Sequence, residues 1–415
     1  MSREVFILGS YQSDFSRCWA REGKDISDLC RVAIEGVLEH SRLDPGAIQS
    51  IHVGNAFAEL QRGQAHLGAM PASVMPELIG VPAMRHEAAC ASGSIAVLAA
   101  MAEIEAGRYD CVLVLGVEEE RNTSGDEASV NMNAAAWIGH EPMPGRFMWP
   151  QVFGALSHEY ERRYGLAPSL LSRIAKNNYD NARRNPRAQT RQWRFGAESF
   201  MDDDAANPQV APGVRRTQCT QITDGAAAVI LASGDFAARH ARERALDCAA
   251  LPRILGWGHR TADLAFLPKL ERSRAGGMMF PQVTDAVNDA LRRARCADIR
   301  ALDGIELHDC FATTELLLIE HAGLAAPGQG GCLFDDGEFA IDGRFPVNPS
   351  GGLIGGGHPV GATGVRMLAD AARQVTHAAG EYQVAGGAAG VRRFGTLNVG
   401  GAFGTVCSFV VGTDG

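Results

Sequence analysis

The stretch His86–Glu118, "HEAACASGSIAVLAAMAEIEAGRYDCVLVLGVE", contains the unit from which the fold is built. A run of small residues leads into a segment from Ser92 to about Ala106 with apolar residues at helical spacing. Gly107 is suited to end this helix, because glycine readily adopts the left-handed conformation. The run "CVLVLG" that follows is continuously apolar, as in a parallel strand covered on both faces. The stretch therefore predicts a tight turn, a helix and a buried strand of an α/β protein.

The same order of elements recurs towards the carboxy terminus. "DGIELHDCFATTELLLIEHAGL" predicts a strand, a turn and a helix, "GATGVRMLADAARQV" a further helix, and "GTLNVGGAFGTVCSFVVG" two strands joined by a glycine-rich turn. The letters of the two halves match only weakly, so the order of elements is the better evidence for a duplication.

Between the halves, from about Glu118 to Arg216, the character of the sequence changes. This segment is rich in Asn, Arg, Asp, Pro and Met and contains helical pieces but no good central strand. It is interpreted as an inserted segment that lies on the surface. Its first residues, Glu118–Glu120, are expected to form a solvated loop edge.

Composition excludes several classes of protein. Hydrophobic residues make up 46% and charged residues 21% of the 415 residues, a globular balance. The net charge of −9 argues against a general nucleic-acid surface, although it leaves room for a local basic patch. No stretch reaches the length of a membrane span, and the first apolar run is too short for a signal peptide. With ten cysteines and no C-x-x-C pair, we expect a cytoplasmic protein with reduced thiols.

Cys90 lies in "CASGS", at the mouth of the first predicted helix. The positive end of the helix dipole and free backbone N–H groups favour a thiolate at such a place. The small neighbours would let a substrate carbonyl approach. The alternative is a buried structural cysteine, and this motif alone does not decide between the two.

His358 lies in "NPSGGLIGGGHPVGATG", residues 348–364, where glycine is in excess on both sides. Such glycines let a chain or ligand come close, which an exposed linker would not need. The alternative is a glycine-rich turn with an incidental histidine. A dinucleotide-binding G-x-G-x-x-G does not fit, because Val360 and Val399 occupy required glycine positions here and in "NVGGAFG".

Two more motifs stand at predicted strand ends. "ELHDCF" places His308 and Cys310 two residues apart, where open α/β sheets build their sites. No further ligands at suitable spacing accompany them, so no metal is expected. In "LNVGGAFG", a backbone N–H of the turn at Gly400 and Gly401 would suit an oxyanion hole, with a simple hairpin as the alternative.

Taken together, these four motifs resemble the thiolase family, and most closely its sterol-carrier-protein-type branch. The resemblance spans nearly the whole chain, and the motifs fall in the family's order. One departure is that the last loop, which usually begins with an acid/base cysteine, has Asn398 in that place. In this branch the cysteine of "HDCF" is thought to take that role, which implies Cys310.

The resemblance implies two mixed five-stranded βαβαβαββ halves packed face to face in an α-β-α-β-α arrangement, with an inserted loop domain that binds coenzyme A. The boundaries predicted here are 1–117 with 217–245 for the first half, 118–216 for the insertion and 246–415 for the second half. Family members are dimers or tetramers, so a homo-oligomer is expected.

The implied reaction is thiolysis of a 3-oxoacyl-CoA by CoA, or the reverse Claisen condensation. Cys90 would carry the acyl group, and His358 would take its proton. His358, together with the His308 side chain or a water molecule, would face the enolate oxygen, and Cys310 would protonate the enolate. The backbone N–H groups of Cys90 and Gly400 would form a second oxyanion hole. Coenzyme A is a substrate here, and no cofactor is expected.

Three arginines of the insertion, Arg183, Arg184 and Arg187, are candidates to bind the phosphates of CoA, with a solvated basic stretch as the alternative. His86 is interpreted as structural and Cys407 as a core residue.

Two other functions are compatible with the sequence. One is a thiolase-fold acyltransferase with a non-CoA acceptor, or a related carbon–carbon lyase. The other is a non-catalytic acyl-CoA-binding subunit, which predicts the loss of site residues. Either would be compatible with a partner subunit.

Overall fold

The structure is a computed structural model that describes residues 3–141, 147–167, 169–274, 276–388 and 390–413. The strands are β1 (Val5–Gln12), β2 (Ser50–Gly54), β3 (Ala83–His86), β4 (Cys111–Glu118), β5 (Gln209–Ala211), β6 (Val214–Arg215), β7 (Gly225–Ser233), β8 (Arg253–Thr261), β9 (Ile305–Leu307), β10 (Arg393–Gly400) and β11 (Thr405–Gly412). The helices are α1 (Ile26–Ser41), α2 (Ala58–Arg62), α3 (Met70–Val74), α4 (Ser92–Glu105), α5 (Gly125–Met132), α6 (Met148–Tyr164), α7 (Leu170–Ala182), α8 (Gly234–Glu243), α9 (Phe266–Ser273), α10 (Pro281–Arg293), α11 (Ala312–His321), α12 (Gly330–Asp335) and α13 (Thr363–Val375).

The strands of the first half lie in the order β3-β2-β4-β7-β1. β3, β2 and β4 run parallel, whereas β7 pairs antiparallel with both β4 and β1. β4 and β7 are buried along their whole length, which agrees with their continuously apolar sequences.

The second half repeats this pattern in the order β8-β11-β10-β9. β9 and β10 are parallel, and β11 is antiparallel to β10 and β8. Next to β9, a parallel bridge between Ile305 and Val347 occupies the edge position that β3 has in the first half. The predicted duplication is confirmed, with the fifth strand of the second half reduced to this bridge. The two halves also join edge to edge, because Phe6 of β1 pairs with Arg253 of β8.

Helices α4 and α13 form the central layer between the two sets of strands. They contact each other, and α13 packs on β1, β4 and β7 of the first half and on β10 and β11 of the second. One hydrophobic cluster joins these elements. α1 covers the other side of the first half and α10 that of the second, which gives the predicted α-β-α-β-α layering.

The segment predicted as an insertion leaves the first half at the end of β4 and returns to it at β7. It contains α5, α6, α7 and the small β5–β6 ribbon, and its helix α6 packs against that ribbon and α11. Among the helices the structure describes, none combines the length and apolar character needed to span a bilayer.

The first turns of α4 and α13 meet backbone to backbone. A Cβ atom on Gly93 would lie 2.8 Å from the carbonyl oxygen of Gly361 and 3.0 Å from the amide nitrogen of Val365. Only a residue without a side chain allows this approach. It brings the loops that precede the two helices, which carry Cys90 and His358, to the same place.

We predict that Gly93→Ala lowers the free energy of unfolding by about 1–3 kcal/mol, because the added methyl overpacks a contact between two backbones. Denaturant unfolding measures the change. Gly234→Ala is the matched control, since its Cβ would lie 3.6 Å from Phe6 at the start of α8, an ordinary contact. Equal stability of both variants would contradict the prediction.

Candidate active site

Cys90 lies in a single tight turn immediately before α4. Ala89 has a φ of +49°, in the left-handed region. The hydroxyl of Ser92 accepts a hydrogen bond from the Ala88 N–H at 2.9 Å and donates one to the Ala89 carbonyl at 2.6 Å. The serine and the small neighbours of the motif thus hold the turn that presents the Cys90 thiol to a cavity.

The His358 loop is held by two buried carboxylates. The N–H of Gly361 donates to Glu118 at 3.0 Å, and the N–H of Val360 donates to Glu120 at 3.0 Å. The expectation of a solvated edge at Glu118–Glu120 was wrong, since each is at most 1% exposed. The physical reason is that the loop's backbone N–H groups need acceptors away from water, which Glu118 and Glu120 supply, while Glu119 pairs with Arg62 at 2.6 Å.

Asp309, between His308 and Cys310, ties the "HDCF" motif to the same loop. Its carboxylate accepts the N–H of Leu353 at 2.6 Å and that of Ile354 at 3.0 Å. Burial raises the pKa of Asp309 to about 6, while these backbone donors act in the opposite direction. The motif and the histidine loop are therefore fixed to each other by one side chain.

The side chains of Cys90, His308 and His358 converge. Their sulfur and one ring nitrogen of each histidine lie within 4.8 Å of one another. The two imidazoles meet edge to face, with centroids 5.2 Å apart and planes at 85°. A thiol and two imidazoles are also ligands that suit zinc. The same three groups equally provide a nucleophile, a base and a hydrogen-bond donor.

A cavity of about 510 Å³ opens beside this cluster. Cys90, Cys310 and His358 line it, whereas His308 is 1% exposed and is not among the lining residues. The remaining wall is mostly apolar and includes Phe57, Met132, Phe147, Trp149, Phe153, Val210, Ile222, Phe311 and Val360.

Hydrogen bonds fix the tautomer of His358. Its Nδ1 lies 2.6 Å from the hydroxyl oxygen of Thr363, and this hydroxyl donates its proton to the Pro359 carbonyl at 3.0 Å. A threonine hydroxyl has one proton, so Nδ1 of His358 must be the donor towards it. Nε2 of His358 is then left with a lone pair and can accept a proton.

The resting pair of Cys90 and His358 is neutral. Burial raises the pKa of the Cys90 thiol to about 12, and burial together with Arg366 lowers the pKa of His358 to about 3. The expectation that the helix mouth favours a thiolate was therefore wrong, because loss of solvent outweighs the backbone donors. The proton has to leave Cys90 during the attack.

Gly401 and Cys310 complete the surroundings of the sulfur. The backbone N–H of Gly401 is directed at the Cys90 thiol and opposes the rise of its pKa. Gly400, named from the sequence, packs directly behind the Cys90 turn, where an added Cβ would lie 2.2 Å from the Ala88 oxygen. Burial, and next the proximity of Cys90, raise the pKa of Cys310, so its thiol is protonated at neutral pH.

The three arginines predicted to bind phosphate lie outside this cavity. Arg183 pairs with Asp180 at 3.8 Å, Arg184 is exposed, and Arg187 lies beside Tyr11. Arg216 instead lines the cavity and also a neighbouring one of about 500 Å³ that includes Arg194, Trp193, Phe195 and Tyr179. In the described ranges, neither Arg194 nor Arg216 has a carboxylate within ion-pair distance.

Two minor expectations are consistent with the structure. The ring of His86 stacks on that of His52 and hydrogen-bonds to it at 2.8 Å. Cys407 is fully buried in the central hydrophobic cluster.

Sequence reasoning missed Glu118, Glu120, Asp309 and Thr363. One signal was available, since the three glutamates directly follow a continuously apolar strand at its carboxyl end, where α/β sheets build sites. Thr363 gave none, because its role depends on the geometry of the loop.

Comparison with known proteins agrees with this architecture. Residues 5–198 match the family described as "Thiolase, N-terminal domain", and residues 269–413 match "Thiolase C-terminal domain-like". The chain is 30% identical over 406 residues to the acetyl-CoA acetyltransferase of Methanothermobacter thermautotrophicus, covering 97% of this chain and 98% of the relative.

It is also 30% identical over 413 residues to sterol carrier protein 2 of Homo sapiens, covering 96% of this chain and 71% of that protein. Among solved structures, the Ltp2-ChsH2(DUF35) aldolase superposes with a TM-score of 0.76 at 19% identity, covering 99% of this chain and 98% of that chain. This last likeness concerns the fold alone. On the evidence of its paired halves, its shared helical layer and these alignments, the chain belongs to the thiolase family.

Proposed function

We propose that the protein is a thiolase-type acyltransferase that cleaves a 3-oxoacyl-CoA with CoA, or runs the reverse condensation, through an acyl-enzyme on Cys90. The observation that carries this proposal is the convergence of the Cys90 thiol, His358 and His308 beside an apolar cavity. The acetyl-CoA acetyltransferase relative, aligned over nearly its whole length, supports the same reaction class.

In the first half-reaction, Cys90 attacks the 3-oxo carbon while its proton passes to Nε2 of His358. The tetrahedral oxyanion is held by backbone N–H groups of Cys90 and of the Gly400 turn. Collapse breaks the carbon–carbon bond, leaves the acyl group on Cys90 as a thioester, and releases the enolate of acetyl-CoA. Cys310 protonates the enolate carbon and becomes a thiolate.

In the second half-reaction, the Cys310 thiolate takes the proton of the incoming CoA thiol. The CoA sulfur attacks the thioester, and acyl-CoA forms. The departing Cys90 sulfur recovers its proton from His358, so every group returns to its starting state. Dividing the carbon–carbon cleavage into two acyl transfers is the advantage of the covalent intermediate.

The enolate oxygen needs donors during the first half-reaction. Once His358 has received the Cys90 proton, its Nε2 becomes a donor, and His308 is the neighbouring imidazole. Two donors at one developing negative charge stabilise it strongly beside a mostly apolar cavity wall.

The cavity walls support a hydrophobic acyl group as substrate. Phe153 and Phe311 stack with centroids 4.3 Å apart and form one apolar wall beside Cys310. The adjoining cavity suits the nucleotide part of CoA, because Arg216 and Arg194 would pair with phosphates and the exposed Trp193 offers a stacking surface.

The alternative of a non-catalytic subunit is less well supported. It predicts the loss of site residues, whereas Cys90, His308, Cys310 and His358 are present and clustered around one cavity. A different acyl acceptor would be indicated if the protein turned over a 3-oxoacyl-CoA ester in an assay without added CoA. A homodimer or homotetramer, as the family implies, is part of the proposal.

The function is tested by intact-mass analysis after mixing the protein with acetyl-CoA and a panel of longer acyl-CoA and 3-oxoacyl-CoA esters. We expect an acyl adduct that Cys90→Ala abolishes and Cys310→Ala retains. Cys310→Ala should lose exchange of the acetyl-CoA methyl protons with deuterated water. Failure of the wild-type protein to take an acyl group from any ester would refute the proposal.

The neutral resting state of Cys90 is tested by its alkylation with iodoacetamide from about pH 6 to about pH 10, followed by peptide mass spectrometry. Because burial raises the pKa to about 12, the rate should keep rising across this range. The denatured chain is the control and should level off above the ordinary thiol pKa of ~8.5. A plateau in the folded protein at or below that pH would show a stabilised thiolate.

The placement of CoA is tested by Arg216→Ala beside Arg183→Ala. Loss of a hydrogen bond to a charged group removes ~1.5–3 kcal/mol of binding, and ~1.4 kcal/mol corresponds to a tenfold change. We therefore expect KM for CoA to rise about tenfold or more for Arg216→Ala only. An unchanged KM in Arg216→Ala, or an equal rise in both, would place the phosphates elsewhere.

A further inference from the structure

Asn398 lies on β10 at the position where most thiolases have an acid/base cysteine. Its side chain is 1% exposed and bridges two other buried groups. The hydroxyl of Ser94 donates to Oδ1 of Asn398 at 2.8 Å, and Nδ2 of Asn398 lies 3.0 Å from Nδ1 of His308. The chain of contacts thus runs from the first turn of α4 to the "HDCF" motif.

The chemistry of these groups sets the direction of each hydrogen bond. An amide NH₂ can only donate and an amide oxygen can only accept. With the Ser94 hydroxyl donating to Oδ1, the NH₂ group faces His308, and Nδ1 of His308 must accept. A neutral imidazole that accepts at Nδ1 carries its proton on Nε2.

His308 is neutral in this environment. Burial and the nearby His358 and Arg366 hold its pKa well below the ordinary value. Among the residues the structure describes, Nδ1 is the only ring nitrogen of His308 with a hydrogen-bond partner. Nε2, the nitrogen with the proton, is left to meet a substrate atom.

We propose that Asn398 is a positioning residue that holds His308 in the Nε2–H tautomer, so that His308 donates a hydrogen bond to the enolate oxygen. The role in catalysis rests on the proposed function, whereas the tautomer itself does not. Asn398 would then stand in the place of the acid/base cysteine and orient the His308 ring, while Cys310 supplies the proton to the enolate.

The two adjacent histidines therefore have opposite roles, since one accepts a proton and the other donates a hydrogen bond. Thr363 holds His358 with its proton on Nδ1, so its Nε2 is a base, whereas Asn398 holds His308 with its proton on Nε2, as a donor. Two neutral imidazoles of the same tautomer would supply either two bases or two donors. Gly364 makes room for the arrangement, since a Cβ there would lie 2.3 Å from the Ser94 hydroxyl oxygen and 2.9 Å from Oδ1 of Asn398.

The tautomer is tested directly by NMR of protein with ¹⁵N-labelled histidine rings, with the His308 signals assigned by their loss in His308→Gln. Correlations from the ring carbon protons distinguish protonated from unprotonated nitrogens. In the resting wild type we expect Nδ1 of His308 unprotonated and Nε2 protonated. A protonated Nδ1 would overturn the proposal, even if Cys90 still forms an acyl-enzyme.

Asn398→Asp and Asn398→Leu test the source of the preference. The carboxylate of Asp can only accept, so Nδ1 of His308 should become protonated, whereas Leu should leave a mixture of tautomers. Thr396→Val, two residues earlier on the same face of β10, is the control and should keep the wild-type signals. Wild-type signals in both Asn398 variants would contradict the proposal.

The kinetic test separates this role from general damage. Losing one oxyanion donor costs ~10²–10³ in rate, so Asn398→Asp should slow hydrogen–deuterium exchange of acetyl-CoA by a factor of that order, whereas Asn398→Leu, which leaves part of His308 in the donor tautomer, should slow it less. Acylation of Cys90, which uses backbone donors, should change only a few-fold. Equal losses in both reactions, or unchanged exchange, would contradict the positioning role.

Discussion

The contact between the first turns of α4 and α13 is the constraint on which the site depends. Gly93 and Gly364 let the two backbones touch, because an added Cβ would lie 2.8 Å from the Gly361 oxygen in the first case and 2.4 Å from the Ser94 amide nitrogen in the second. The Cys90 turn precedes one helix and the His358 loop precedes the other, so the contact sets the distance between Cys90 and His358. The duplicated fold provides this geometry because each half contributes one central helix.

Buried carboxylates then fix the loops relative to each other. Glu118 ends β4 of the first half, Glu120 lies just beyond it, and both accept backbone N–H groups of the His358 loop, which belongs to the second half. Asp309 binds another part of the same loop. Each acceptor satisfies backbone donors that would otherwise be unpaired in a buried place. Buried carboxylates thereby hold in place the loops that carry the two sulfurs and the two imidazoles.

Much of the fold could be predicted from the sequence, because the spacing of apolar residues indicates which face of a helix or strand is buried. The helix predicted from Ser92 to about Ala106 runs from Ser92 to Glu105, and Gly107 follows it with a φ of +70°. The order of motifs indicated the family and the residues that meet at the cavity. The choice between nucleophile and structural cysteine at Cys90 depended on that resemblance, because its local sequence suits both.

What the sequence left open depends on contacts between distant residues. A run of charges is usually solvated, so the burial of Glu118–Glu120 required knowledge of the loop that covers it. The direction of an arginine side chain is not encoded in composition, and Arg183 points to Asp180 rather than to the cavity. The contact of Asn398 with His308 spans 90 residues, and that with Ser94 spans 304, so no local pattern indicates the tautomer.

The central claim is that Cys90 carries the acyl group in the cavity while His358 and His308 face the reacting oxygen. A crystal structure of Cys310→Ala soaked with acetyl-CoA tests it most directly. The account predicts density for a thioester on the Cys90 sulfur, with CoA extending towards Arg216. An unmodified Cys90 with acetyl-CoA bound outside this cavity would contradict it.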